Sequence, residues 1–259
     1  MSKPKKIVLA LCAVAIIGVV VGYGYILFIK EDAPDALDAG DLDAALGADS
    51  ETTVATEAPA ATEAPTATEA PVATEAPTAT EASATDGVDG VWNISTDSTL
   101  GYRVSEVLGG VDTEGAGRTN QVTGTLTIEG TAATAAEFTV QMATITSDSD
   151  RRDGQFNDRI MSTSEFPIST FVLTAPIDFG TVPAEGEPIT ATATGDLTLR
   201  GVTNSVTFEV TAQLEGGRIG VLGTIPILFS DYSIPDPSNG FATVKDNGLL
   251  EFVLVFDKA

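Results

Sequence analysis

The chain has 259 residues, with 13 Lys and Arg against 37 Asp and Glu, a formal net charge of -24 and no His. Without imidazole there is no Ser-His-Asp or Cys-His nucleophile, no His-ligated metal and no side chain that titrates unperturbed near pH 7. No catalytic residue, metal site or cofactor is expected; an enzyme using only Asp, Glu or Tyr is the minor alternative, since the many acids fall mainly on polar strand faces or in turns, and the acidity argues against nucleic acid, whose phosphates require clustered Lys and Arg.

The chain opens on a basic stretch, 1–6, that holds Lys3, Lys5 and Lys6, and then runs without charge from Ile7 to Ile29 before closing at Lys30. Twenty-three residues at ~1.5 Å rise reach ~34 Å, slightly more than the ~30 Å hydrocarbon core of a bilayer. A cleavable signal has a shorter apolar region and a small-x-small exit, whereas the exit here is Ile26-Leu27-Phe28-Ile29. Residues 7–29 are expected to form an uncleaved, single-pass transmembrane helix. Cys12 follows Leu11, not a small residue, so it reads as an apolar membrane residue and not as a lipidation site. Positive charge on the N-terminal side places the remainder outside the cytoplasm. That remainder holds no cysteine and cannot depend on disulfides.

Residues 30–89 change character. Fifteen acids fall between Glu31 and Asp89, and a hexad repeat (ATEAPA, ATEAPT, ATEAPV, ATEAPT, ATEASA) sets Pro59, Pro65, Pro71 and Pro77 in phase. Proline every six residues breaks a helix, and nothing apolar is large enough to bury. The expectation is a disordered acidic spacer whose ~58 residues reach at most ~180 Å in polyproline II form. The repeated Thr residues are compatible with O-glycosylation.

Residues 90–259 form one domain of ordinary size. Its signal is alternation with period two, interrupted by Gly, Pro, Asn and Asp. Val122, Gly124, Leu126 and Ile128 share one face; so do Phe138, Val140 and Met142, then Leu197 and Leu199, then Val206, Phe208 and Val210, then Leu250, Phe252, Leu254 and Phe256. Weaker runs at 100–107, 168–174 and 219–227 bring the total to eight strands. One helix is expected between Asp150 and Phe166, where Phe156, Ile160 and Met161 follow helical spacing. Eight antiparallel strands with one apolar and one Thr-rich face make an all-β sandwich or a closed barrel, and closure abolishes exposed edges.

Several segments then carry a resemblance, in order along the domain: Gly101-Tyr102-Arg103-Val104, Gly117-Arg118-Thr119, Thr144 to Asp148 with Arg152-Asp153-Gly154-Gln155-Phe156, Glu165-Phe166-Pro167 to Phe171, and Gly195 to Thr203. Together, from Trp92 to Phe256, they resemble the YceI-like family. That resemblance implies an eight-stranded antiparallel lipocalin-like barrel holding a long amphiphile, a polyisoprenoid or an isoprenoid quinone. In one departure, Arg200 stands before Gly201-Val202-Thr203 where many members carry His.

A barrel interior of this kind makes Tyr102, Phe138, Met142, Phe156, Phe166, Phe171, Leu197, Leu199, Phe208, Val210, Phe229, Tyr232, Phe252 and Leu254 candidates for the cavity or its mouth, with a packed core as the competing role for each. Arg151, Arg152 and Arg159 are head-group candidates, set against structural pairing of Arg152 with Asp148, Asp150 or Asp153. The run Asp148 to Gly154 fails as a calcium loop, since Arg152 and Arg159 occupy ligand positions. Two functions follow: a tethered carrier or sequestering protein for an isoprenoid lipid, or a filled barrel displayed on a stalk to a protein or cell-wall partner. Whether the barrels form a homodimer stays open.

Overall fold

The computed structural model describes residues 33–47, 87–240 and 242–259. The expected membrane span and the Pro-rich repeat lie outside the described residues. Among the described residues, no helix is long and apolar enough to cross a membrane.

The strands are β1 (Gly90–Ile94), β2 (Thr99–Leu108), β3 (Val111–Thr119), β4 (Val122–Glu129), β5 (Ala132–Gln141), β6 (Thr146–Ser147), β7 (Ile168–Ala175), β8 (Ile177–Asp178), β9 (Ile189–Leu199), β10 (Val202–Glu215), β11 (Arg218–Leu228), β12 (Ala242–Val244) and β13 (Asn247–Lys258). Two of the barrel staves are broken strands. Both β1 and β2 run antiparallel to β13, the first beside Phe256 to Lys258 and the second beside Leu249 to Val253. In the same way, β3 pairs with β2 while β4 pairs with β1. Counting β1/β2 and β3/β4 as one stave each, the order continues through β5, β7, β9, β10, β11 and β13, which returns to the first stave. The result is an eight-stranded antiparallel barrel in simple up-and-down order, in which each stave pairs with its neighbours in sequence.

The eight strands expected from alternation all lie on these staves. What the pattern missed was β1 and β3, the extensions of the first two, and the short strands β6, β8 and β12. β3 reads Val-Asp-Thr-Glu-Gly-Ala-Gly-Arg-Thr and offers no alternating apolar face. Tight hairpins join the long strands: Gly216 and Gly217 turn β10 into β11 with φ of 60° and 74°, the left-handed pair that a two-residue hairpin requires.

The two ends of the barrel differ. At one end, the β5 to β7 connection carries a helix, α2 (Asp150–Gln155), that continues into a π-helical turn (Phe156–Ile160). Ser149 caps α2 by accepting from the Arg152 N–H. The β11 to β13 connection lies at this same helical end. Arg159 donates to the Asp236 and Pro237 carbonyls, each at 2.8 Å, and so fastens one connection to the other. The far end carries the Gly130 and Gly216 turns, the start of β1 and the C-terminus of β13.

The expectation of a spacer without structure over 30–89 is corrected at 33–47. An extended piece leads into α1 (Ala39–Gly47), which packs on the outside of the barrel. Asp38 caps it: its carboxylate accepts from the N–H groups of Gly40 (2.7 Å) and Asp41 (3.2 Å), while Asp41 accepts from the Asp38 N–H (2.9 Å). Leu37, Leu42 and Leu46 bury against Val253, Val255 and Leu222. The physical reason lies in β13, where the run Leu-Leu-Glu-Phe-Val-Leu-Val-Phe is apolar on both faces and needs cover on both.

Below this strap, residues 33–47, is a buried ion cluster. Glu251, only 1% exposed, accepts from Arg118 at 2.7 Å and from Arg103 at 3.3 Å. Arg103 also pairs with Glu114 at 2.8 Å and donates to the Pro34 carbonyl at 2.6 Å, and Arg118 donates to the Asp35 carbonyl. The strap thus gains fixed hydrogen bonds at its start and apolar contacts along its helix.

Candidate functional site

Alternation places Leu100, Tyr102, Val104 and Glu106 of β2 inside, opposite the inward residues of β7, β9 and β10. These side chains do not fill the barrel. They surround a cavity of about 810 Å³ whose lining reaches from Tyr102, Glu106 and Arg152 at the helical end to Thr131, Pro183 and Gln213 at the far end. That volume lies within the ~300–1,000 Å³ of small-molecule sites. Its length, from 11 residues of β9 at ~3.3 Å tilted ~40°, is ~28 Å.

Small residues create the space. Ala133, Ala136, Ala193 and Ala212 point inward where larger side chains would close the bore. Across the middle runs a belt of phenylalanines. Phe138 stands 6.3 Å from Phe171 and 5.7 Å from Phe256; Phe171 meets Phe208 edge-on at 5.6 Å; Phe208 meets Phe252 edge-on at 6.0 Å. Such contacts favour offset and T-shaped geometry and hold the rings in place, so the belt is a rigid apolar wall.

Polarity concentrates at the helical end. Arg152 pairs with Glu106 at 3.1 Å and also with Asp148, which makes it the centre of a partly buried cluster. Asp153 accepts from the Ser147 hydroxyl at 2.6 Å and its N–H at 2.9 Å, fixing the start of α2. Gly115 and Gly117 of β3 make room for this cluster, since a Cβ at 115 would lie 2.9 Å from Arg152 Nε and one at 117 would lie 2.6 Å from Tyr102 Cε1. Tyr102 stacks on Phe156 with centroids 5.2 Å apart. Burial raises its phenol well above the ordinary range; Arg152 opposes the shift, and the nearby carboxylates of Asp153, Asp148 and Glu106 add to it. The phenol therefore stays neutral near pH 7, and the site offers an apolar bore with one charged, hydrogen-bonding end.

Of the fourteen candidates for interior or mouth, twelve line this cavity: Tyr102, Phe138, Met142, Phe156, Phe171, Leu197, Leu199, Phe208, Val210, Phe229, Phe252 and Leu254. Phe166 and Tyr232 do not. The Phe166 ring lies under the Arg200 guanidinium, 5.5 Å from centroid to Cζ, and against Gly201. Tyr232 is buried outside the bore, along a groove beside Asn204 and Ile227. Among the head-group candidates, Arg151 and Arg152 reach the cavity lining, whereas Arg159 is held by the two backbone carbonyls of the neighbouring connection. Sequence reasoning missed Glu106, Gly115 and Gly117. Glu106 interrupts the apolar face of its strand at an inward position, and that interruption was the available signal.

Arg200, at the position of the family departure, has a structural role. It occupies a left-handed backbone position (φ 48°) and donates to the Ser233 carbonyl at 2.6 Å, joining the β9 to β10 turn to the β11 to β13 connection.

An up-and-down barrel of eight antiparallel strands around a long apolar cavity defines a lipocalin-like barrel protein. A family model described as the YceI-like domain matches residues 92–256, and the chain belongs to that family. Solved structures similar to it include a polyisoprenoid binding domain from Saccharophagus degradans implicated in plant cell wall breakdown, at 18% identity over 65% of this chain and 98% of that one, with a TM-score of 0.54. Others are BcnA of Burkholderia cenocepacia (24% identity, 62% and 98% covered, TM-score 0.48) and the YCEI protein of Campylobacter jejuni (18% identity, 53% and 82% covered, TM-score 0.43). At these identities the likeness concerns the fold alone. No curated protein matches the chain.

Proposed function

We propose that this protein is a membrane-tethered, extracytoplasmic binding protein for one long amphiphile, a polyisoprenoid or an isoprenoid quinone, and that it carries or sequesters that lipid without transforming it. The cavity carries this reading. Without a ligand, an apolar bore of about 810 Å³ would hold water that the lining gives few hydrogen bonds. Hydrocarbon is the natural filling, since each buried CH₂ contributes ~0.8 kcal/mol. A chain lipid matches a bore ~28 Å long better than a compact ligand does, and the Arg152 cluster supplies the polar end that an amphiphile needs. Family membership and the description of the Saccharophagus protein support isoprenoid chemistry as the ligand class. The apolar run 7–29 and the lysines before it support tethering and the outward placement.

The competing interaction module requires a filled interior, which an 810 Å³ cavity disfavours. The test is organic extraction of the full-length protein, followed by mass spectrometry of what is released. A prenyl lipid near one per chain supports the reading. A protein that releases no lipid and takes up no added prenyl lipid contradicts it.

A further inference from the structure

The strap alters what the acidic repeat does. Its path along the outer wall has a direction. Pro34 and Asp35 are bonded by Arg103 and Arg118, Leu37 N–H faces Glu251, and Leu42 and Leu46 cover Gly220. Last, Ala45 gives its carbonyl to Arg218, which pairs with Asp257 at 2.9 Å. On β13 this order runs from Glu251 toward Asp257, from the middle of the wall to the far end and so away from the helical end.

Two consequences follow. Both borders of the segment 48–86 lie at the far end, because α1 finishes beside Asp257 and Gly87 gives its carbonyl to Lys258 at 2.9 Å. The 39 residues between them leave and return at neighbouring points, so their length does not set the distance from anchor to barrel. That distance is bounded by the chain length of residues 30–33, at most ~14 Å at ~3.3–3.6 Å per residue.

We propose that the strap seats the barrel next to the bilayer with its helical end, and the polar end of its cavity, on the membrane side. This rests on the reading of 7–29 as a membrane anchor. The arrangement gives a hydrophobic ligand a short path between bilayer and cavity, where a stalk of ~180 Å would give a long aqueous one. Releasing the strap adds the repeat to the tether and frees the barrel to leave the surface.

The test uses the full chain with Cys12→Ser and one fluorophore, at Ser164→Cys on the helical end or at Glu187→Cys on the far end. Each is reconstituted in phosphatidylcholine vesicles containing lipids spin-labelled at the headgroup, which quench at short range. Flotation with the vesicles is checked first. The expected result is quenching several-fold stronger at 164 than at 187, with the difference lost when Leu42→Asp and Leu46→Asp release the strap. Equal quenching at both positions, or stronger quenching at 187, in protein that floats overturns the orientation while leaving the anchor intact. A difference that survives strap release overturns the role of the strap. Protein that fails to float overturns the anchor reading, and the orientation falls with it.

Discussion

Leu42 and Gly220 touch across the outer wall of the barrel because residue 220 has no side chain; a Cβ there would lie 2.5 Å from Leu42 Cδ1 and 2.8 Å from Leu46 Cδ1. The glycine is a seat on an otherwise continuous strand. Gly220→Val is therefore expected to displace α1 without unfolding the barrel, since the bulk is added on the outside. Hydrogen exchange should show residues 37–46 losing protection while β9 and β10 keep theirs. Unchanged protection of the strap would mean that the seat is not what holds it.

Glu251 organises the start of the strap as the acceptor for Arg103, Arg118 and the Leu37 N–H. Burial tends to lower the Arg103 pKa, but Glu251 and Glu114 hold it above its ordinary value. Removing the carboxylate leaves two guanidinium groups in a largely buried place, a loss of about 3–5 kcal/mol for a buried pair broken on one side. Glu251→Gln should lower the denaturation midpoint accordingly. Glu251→Leu together with Arg103→Met and Arg118→Met should recover part of it, because both guanidinium groups that the carboxylate holds are removed with it. A single variant as stable as the parent would contradict the assignment.

Alkaline pH should weaken the fold through Tyr102. Its folded pKa is raised by burial, so above the unfolded value of ~10 the unfolded chain releases a proton that the native state retains. Stability is therefore complete below about pH 10 and falls as pH rises from there toward the folded pKa. Tyr102→Phe should flatten the fall in Tm between pH 9 and pH 12, where one retained proton costs of order 1 kcal/mol of stability per pH unit. Tyr232 is also raised by burial and leaves a residual slope. An identical slope in the Phe variant would show that Tyr102 is not the group responsible.

Space in the bore is guarded by small side chains, and Ala193, paired across strands with Phe208, sits beside the phenylalanine belt. Ala193→Trp should fill part of the cavity at little loss of stability, because it occupies void and not packed core. Uptake of prenyl lipids should drop at least tenfold, the equivalent of ~1.4 kcal/mol. Circular dichroism and thermal unfolding separate this outcome from misfolding. A folded variant with parental uptake would place the ligand elsewhere.

Much of the barrel was legible because β4, β5, β9, β10 and β13 alternate cleanly, and period two with Gly-rich turns has few other solutions. β3 was illegible because its inward positions include Gly115 and Gly117, kept small for Arg152 and Tyr102 and hence silent in a hydrophobic pattern. The strap was hidden for another reason. Its helix has only Leu42 and Leu46 as large apolar residues within an acidic stretch, and composition averaged over 30–89 diluted them. Two local signs were present: the Asp38-Ala-Gly-Asp41 capping box, and the outward Val253 and Val255, which called for a cover. For the site, alternation identified the inward phenylalanines, whereas Phe166, Tyr232 and Arg159 were assigned by proximity in sequence to the mouth. Their partners, Gly201, the groove beside Asn204 and the Asp236 carbonyl, belong to other connections that pattern cannot bring together.

The central claim is that the bore holds one long lipid, and native mass spectrometry of the full chain released from mild detergent tests it most directly. The account predicts a single added mass, near one per chain, that organic extraction identifies as a prenyl lipid and that the Ala193→Trp variant lacks. A bare chain mass, unchanged after incubation with polyisoprenoids and isoprenoid quinones, would contradict it.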